Sequence, residues 1–163
     1  MQIGVISDTH IPTRARCLPA ALFDIFAGVE LILHAGDLVT MSVVKELETI
    51  APVEAVAGNM DPLEIVERFG RKKTLTLAGF RIGLIHGDLG RDRSKTPELA
   101  LQAFADDRVD AVIFGHIHQP FLQWKNGILL FNPGSLTDSR RGPRNSCGLL
   151  TLGKTIEARH IYL

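Results

Sequence analysis

Seven side chains able to donate to a metal ion fall directly behind five short apolar runs: Asp8 and His10, then Asp37, then Asn59, then His86, then His116 with His118. Carboxylate oxygens, imidazole nitrogens and one amide carbonyl suit borderline divalent ions such as Mn²⁺, Fe²⁺, Zn²⁺ or Co²⁺. Seven donors are more than one tetrahedral ion can use. Each piece alone has an ordinary explanation, because Asp-x-His after a strand reads as a turn or cap and Gly-Asp or Gly-Asn as simple turn chemistry. Gly115-His116-Ile117-His118 carries more, since two imidazoles two residues apart can bind from one extended or tightly turned segment. The order of all five pieces together carries the inference.

The elements that must position these groups are legible in the apolar pattern. Ile3–Ile6, Leu31–Leu33, Val53–Ala57, Ile82–Ile85 and Ala111–Phe114 are continuous apolar runs of strand length, as expected of buried strands. Between them, Leu18–Ala27, Met41–Ile50 and Pro97–Asp107 have helical spacing, with Thr96 as a predicted N-cap ahead of Pro97. In α/β sheets, ligands collect in the crevice beyond the carboxyl ends of the strands, where all seven donors stand. After Gly115 the chain turns to hairpin-like pieces, roughly Phe121–Trp124, Ile128–Phe131, Cys147–Leu152 and Ile156–Ile161, with turn signals at Asn126-Gly127 and Gly153-Lys154. Helix–strand repeats followed by hairpins fit layered sheets covered by helices better than one open sheet. Leu136–Asn145, rich in Ser, Arg and Gly, is expected to form a flexible or functional loop.

These motifs resemble the signature of the calcineurin-like metallophosphoesterases, in particular their small single-domain phosphodiesterase branch. The signature runs D-x-H, G-D, G-N, H, G-H-x-H, here Asp8–His10, Gly36-Asp37, Gly58-Asn59, His86 and Gly115–His118. Asn132-Pro133-Gly134-Ser135 is similar to a turn common in that branch. The resemblance spans nearly the whole chain and implies a single domain over residues 1–163. The implied fold is a four-layer α/β/β/α sandwich of two mixed β-sheets flanked by helices. The implied cofactor is a pair of divalent ions, Mn²⁺ first, with Fe²⁺, Zn²⁺, Co²⁺ or Ni²⁺ as alternatives. By motif position, Asp8, His10 and His118 hold one ion, Asn59, His86 and His116 the other, and Asp37 bridges them. Asp37, Asn59 and His116 are the implied catalytic set, and Asn59 also meets the substrate.

The resemblance implies phosphodiester hydrolysis, ahead of monoester hydrolysis, by in-line attack of a metal-bridging hydroxide on a small phosphoester. Two divalent ions outweigh the charges of Asp8, Asp37 and the hydroxide, so the pocket attracts phosphate. No protein nucleophile is needed, and Ser7, Ser135 and Cys17 read as turn or core residues. Two positions depart from larger or related members. Met60 stands where a histidine follows the Gly-Asn and assists the leaving group, and Asp61 could replace it only with a strongly raised pKa. His86-Gly87-Asp88 replaces H-G-H, which removes a second imidazole. His34 reads as a residue that supports the ligands, and His160 as unrelated to the site. Arg140 and Arg141 are candidate phosphate contacts in a loop that also contains Arg144. Arg71-Lys72-Lys73 reads as a solvated edge ahead of a strand beginning at Thr74.

The chain has 163 residues, and its 18 Lys+Arg balance 18 Asp+Glu. That neutrality argues against a protein that works by neutralising many nucleic-acid phosphates or an acidic membrane surface. The apolar runs are far shorter than the ~20 residues of a membrane-spanning helix, and the N-terminus lacks a secretory pattern. The expected setting is cytoplasmic, with Cys17 and Cys147 as reduced thiols. Two other functions share the fold: a non-catalytic protein-binding scaffold like a retromer subunit, and a nuclease. The full donor set favours the phosphoesterase, and homo-oligomerisation is left open.

Overall fold

A computed structural model describes residues 1–140 and 144–163, so Arg141 lies outside the described residues. The strands are β1 (Gln2–Ile6), β2 (Leu31–His34), β3 (Val53–Ala55), β4 (Lys72–Leu77), β5 (Phe80–Ile85), β6 (Ala111–Ile113), β7 (Pro120–Lys125), β8 (Ile128–Pro133), β9 (Ser146–Leu152) and β10 (Ile156–Tyr162). The helices are α1 (Ala21–Ile25), α2 (Met41–Leu47), α3 (Leu63–Phe69) and α4 (Thr96–Gln102), the last entered through a 3₁₀ turn at Arg93–Lys95.

Two five-stranded sheets form, ordered β10-β9-β1-β2-β3 and β4-β5-β6-β8-β7. Both are mixed: β1, β2 and β3 run parallel while β9 and β10 pair antiparallel, and β5, β6 and β8 run parallel between antiparallel β4 and β7. The apolar runs are continuous because the central strands are covered on both faces. Ile3, Val5, Leu31 and Leu33 meet Ile82, Leu84, Ile113 and Phe131 between the sheets. The alternate residues Ile6 and Ile32 turn to Leu22, Phe26, Val44, Leu47 and Ile65 under the first helical layer. Val112 and Leu130 turn to Ala100 and Phe104 under the second. Three apolar spaces separated by two sheets make the four-layer α/β/β/α sandwich expected from the sequence.

Several boundaries differ from the sequence expectation. The helices are shorter than Leu18–Ala27, Met41–Ile50 and Pro97–Asp107, and β3 stops at Ala55. The N-cap of α4 is Lys95, without a side-chain cap bond, while Thr96 is the first helical residue and is buried. Thr96 therefore serves packing rather than capping. Helix α3 was not expected. It places Ile65 and Phe69, one helical turn apart, in the core. Strand β4 begins at Lys72, and its lysines are paired: Lys72 with Asp107 at 2.6 Å and Lys73 with Glu54 at 2.8 Å.

Candidate metal centre

The loops leaving β1, β2, β5 and β6 converge, and five of the expected ligands adopt a backbone conformation that L-residues rarely take. Asp8, His10, Asp37, His116 and His118 have φ of 54°, 44°, 59°, 68° and 60°. Such conformations persist where the surroundings over-determine them, and they cluster at functional sites. The loops also pass unusually close. A Cβ on Gly58 would collide with Asp37 Oδ1, and one on Gly115 with Ser7 Oγ.

Each donor is held by one atom and turns another inward. Asp8 Oδ2 accepts from Ser7 Oγ–H (2.6 Å) and the His116 N–H (3.0 Å), which leaves Oδ1 buried without a hydrogen bond. Asp37 Oδ1 accepts from the Met60 N–H (2.8 Å), so Oδ2 faces His10 Nε2 at 3.5 Å and His86 Nε2 at 3.3 Å. His86 Nδ1–H donates to Ala35 O (2.7 Å) and His118 Nδ1–H to Asp138 O (2.6 Å). Those bonds fix the tautomer that presents the Nε2 lone pair in the neutral ring, as in many metal-bound histidines. His86 Nε2 is buried with no hydrogen-bond partner, and His10 Nε2 and His118 Nε2 point at one another 3.3 Å apart. Buried polar atoms normally find partners, and a divalent cation would satisfy all of these together.

In each of two groups, Asp8, His10 and His118, and Asp8, Asp37 and His86, one ligand atom per residue lies within 4.8 Å of the others. Asp8 is common to both, while Asp37 Oδ2 sits beside a histidine of each. His116 lies next to the second group, its ring edge-on to that of His86 with centroids 5.2 Å apart. Asn59 is exposed on the adjoining loop, in the wall of a neighbouring hollow. Five of the seven expected ligands, Asp8, His10, Asp37, His86 and His118, therefore fall in these two groups, His116 borders the second through its ring, and Asn59 stands on the adjoining loop.

The charge pattern fits a cation site. Burial alone would push Asp8 up, but the imidazoles of His10, His118 and His86 hold its carboxyl well below the usual range. Burial likewise opposes the charge on His86, yet Asp37 and Asp8 raise its pKa to about 9, so without metal it carries a proton near neutrality. His116 is lowered by burial, then by His86 and by the Arg93 guanidinium.

The surrounding residues brace this arrangement. Asp61 accepts three backbone N–H bonds, from Asp37 (2.8 Å), Val39 (2.6 Å) and Gly58 (2.7 Å). Burial raises its pKa against those bonds, but both of its oxygens are engaged, so Asp61 ties two ligand loops together and is not free to act as an acid. Asn132 Nδ2 donates to Gly115 O (2.7 Å) and Ser135 Oγ to Asp8 O (2.8 Å), so the Asn-Pro-Gly-Ser turn clamps both ends of the site. Thr137 Oγ1 donates to Thr9 O (2.7 Å), which fixes the start of the loop expected to be flexible.

His34 points away from the cluster. Gly36 N–H donates to its Nδ1 (3.2 Å), and Nε2 faces Thr9 Oγ1 (3.1 Å). Burial pushes its pKa down to about 3, so the ring stays neutral. His160 donates from Nε2 to Asn132 O (2.8 Å) and stacks on Phe131, which links it to the clamp but not to the cluster. Asp88 lies 3.7 Å from Arg71, and Arg71 donates to Gly58 O (3.2 Å). The roles of Asp61, of the Asp138 carbonyl and of Arg93 were not foreseen. The Asp at the end of Gly58-Asn59-Met60-Asp61 and the arginine ahead of Thr96-Pro97 were their only signals.

Residues 1–155 match the calcineurin-like phosphoesterase superfamily domain. A probable metallophosphoesterase of Methanothermobacter thermautotrophicus is 49% identical over 142 residues, 86% of this chain and 80% of that protein. A structurally characterised archaeal phosphodiesterase superposes with a TM-score of 0.76 at 27% identity, covering 100% of both chains. Vps29 of Chaetomium thermophilum shares the fold, with a TM-score of 0.81 at 21% identity over 100% of this chain and 97% of that one.

Proposed function

Because the chain belongs to the calcineurin-like phosphoesterase superfamily, we propose that the cluster is a two-ion centre that hydrolyses phosphodiesters. The observation that carries the reading is the pair of buried atoms without a hydrogen bond, Asp8 Oδ1 and His86 Nε2, each turned toward another candidate ligand, His118 Nε2 at 3.1 Å and Asp37 Oδ2 at 3.3 Å, with the His86 and His118 rings oriented by backbone carbonyls. Asp8, His10 and His118 would hold one ion, His86, His116 and Asn59 the other, with Asp37 Oδ2 between them, all within a single domain. Divalent ions there supply Lewis acidity toward a phosphoryl oxygen and an acidified water for in-line displacement. Mn²⁺ is the first candidate.

The chain's own groups account for the rest. The exposed Asn59 amide meets the incoming phosphate at the rim of the site. Met60, 57% exposed, offers the departing oxygen no proton, and Asp61 is committed to its three backbone donors. Preference for a diester is supported by two hollows beside the cluster, one against Ile117 and Gln119 and one against Asn59 and Asp88, which provide room for two alcohol groups. A scaffold like Vps29 shares the fold, but a purely structural role has no use for inward-facing unpartnered donors.

The test is a leaving-group series of aryl and alkyl phosphodiesters with matching monoesters, run on metal-loaded wild type and Met60→His. Diesters should be cleaved faster than monoesters, and rates should fall steeply as the leaving alcohol becomes less acidic. General-acid help is worth ~10²–10⁴-fold, so Met60→His should restore part of that range for alkyl esters. A flat dependence in wild type, or no diester hydrolysis at all, would overturn the reading.

A further inference from the structure

The hollow of about 580 Å³ beside the His116–His118 loop combines an apolar floor of Pro97, Ile117 and Phe121 with Arg93, Arg140 and Gln119 around it. That volume falls within the range that seats drug-sized ligands. Its charge is incompletely neutralised. Among the described residues Arg93 forms no ion pair, and Arg140 lies 3.8 Å from Asp138, a carboxylate it shares with Arg14 at 3.5 Å. The second hollow is different, because its Arg71 is paired with Asp88 and its Lys72 with Asp107.

A lipid-like alcohol would leave two guanidinium groups without use, and a plain sugar would leave the Phe121–Ile117–Pro97 floor bare. A planar base joined to a second phosphate matches both features: the ring lies on the apolar floor, Gln119 hydrogen-bonds its edge, and the arginines take the phosphate as charge-assisted bonds. We propose that this hollow seats one alcohol group of the substrate, that this group is a nucleotide, and that Arg93, with Arg140, selects it by binding its second, non-scissile phosphate. The inference rests on the phosphodiesterase reading of the adjoining cluster.

The experiment compares three diesters with the same leaving group on metal-loaded protein: methyl p-nitrophenyl phosphate, thymidine 5′-(p-nitrophenyl phosphate), and the latter carrying a 3′-phosphate. The expected kcat/KM rises at each step, with the 3′-phosphate step about tenfold or more, the scale of a charge-assisted hydrogen bond. Arg93→Ala should collapse that step, while Arg93→Lys, which keeps the charge, should recover part of it. Methyl and nucleotide esters cleaved equally, or a 3′-phosphate step that survives Arg93→Ala, would overturn the nucleotide assignment and leave the phosphodiesterase reading standing. Hydrolysis of none of the three would overturn both.

Discussion

The division of labour at the site is set atom by atom. Asp37 uses Oδ1 to hold the Met60 N–H and keeps Oδ2 for the cluster, so Asp37→Asn replaces an inward acceptor or the Met60 contact whichever way the amide turns. The His34 ring is hydrogen-bonded to Thr9 and Gly36, and its effect reaches the ligands through the backbone of the Gly36-Asp37 loop. Asp37→Asn should therefore abolish phosphodiester turnover and lower metal content, while His34→Ala should cost ~10–100-fold, as is usual for groups that orient ligands. Turnover and metal content measured on both variants check this. Equal losses with metal retained in both would contradict it. The residues of the two candidate groups, Asp8, His10, Asp37, His86 and His118, were legible in the sequence because each one stands just behind an apolar run. Asp61 was read only as a substitute acid, because a carboxylate that serves backbone N–H groups looks in sequence like any other acid near a turn.

Between elements, Asp61 is the joint. It stands just ahead of α3 and binds the loop after β2 to the loop after β3, holding Asp37 and Val39 at φ of 59° and 75°. In Asp61→Asn an amide NH₂ would face a backbone donor, so the unfolding free energy should drop by about 1–3 kcal/mol and Mn²⁺ affinity should fall with it. Urea denaturation of the metal-free protein reads the first effect and a metal titration the second. A stability within about 0.5 kcal/mol of wild type would show that the brace is dispensable. The central strands and the order of layers were readable because two-sided burial writes itself as unbroken apolar runs. Helix α3 was not, since it is only seven residues long behind Pro62 and exposes Leu63, leaving Ile65 and Phe69 as its signal. The start of β4 was hidden because Lys72 and Lys73 look like a solvated edge, whereas their charges are paired across to Asp107 and Glu54 and lie over the rings of Phe104 and Phe69.

At the scale of the molecule, a chain of zero formal charge gathers Asp8, Asp37, His10, His86 and His118 into one buried cluster. Two buried histidines, His86 in the cluster and His34 turned away from it, are shifted in opposite directions. His86, raised to about 9 from an unfolded value near 6.5, contributes stability to the metal-free protein below pH ~6.5 that is lost as pH rises through about 9. His34, depressed to about 3, contributes stability above pH ~6.5 that is lost as pH falls toward about 3. Metal binding needs His86 without its proton, so at pH 7 Mn²⁺ uptake should release protons and strengthen as pH rises. Calorimetric titrations in buffers of different ionisation enthalpy would show this as a buffer-dependent heat, and identical heats in all buffers would contradict it. The central claim is that this cluster holds two catalytic ions. Stepwise addition of Mn²⁺ to metal-free protein, with bound metal and phosphodiester turnover read on the same samples, tests it most directly. The account predicts saturation at two ions per chain, with turnover rising as the second is taken up. Saturation at one ion or none, or full turnover in the metal-free protein, would contradict it.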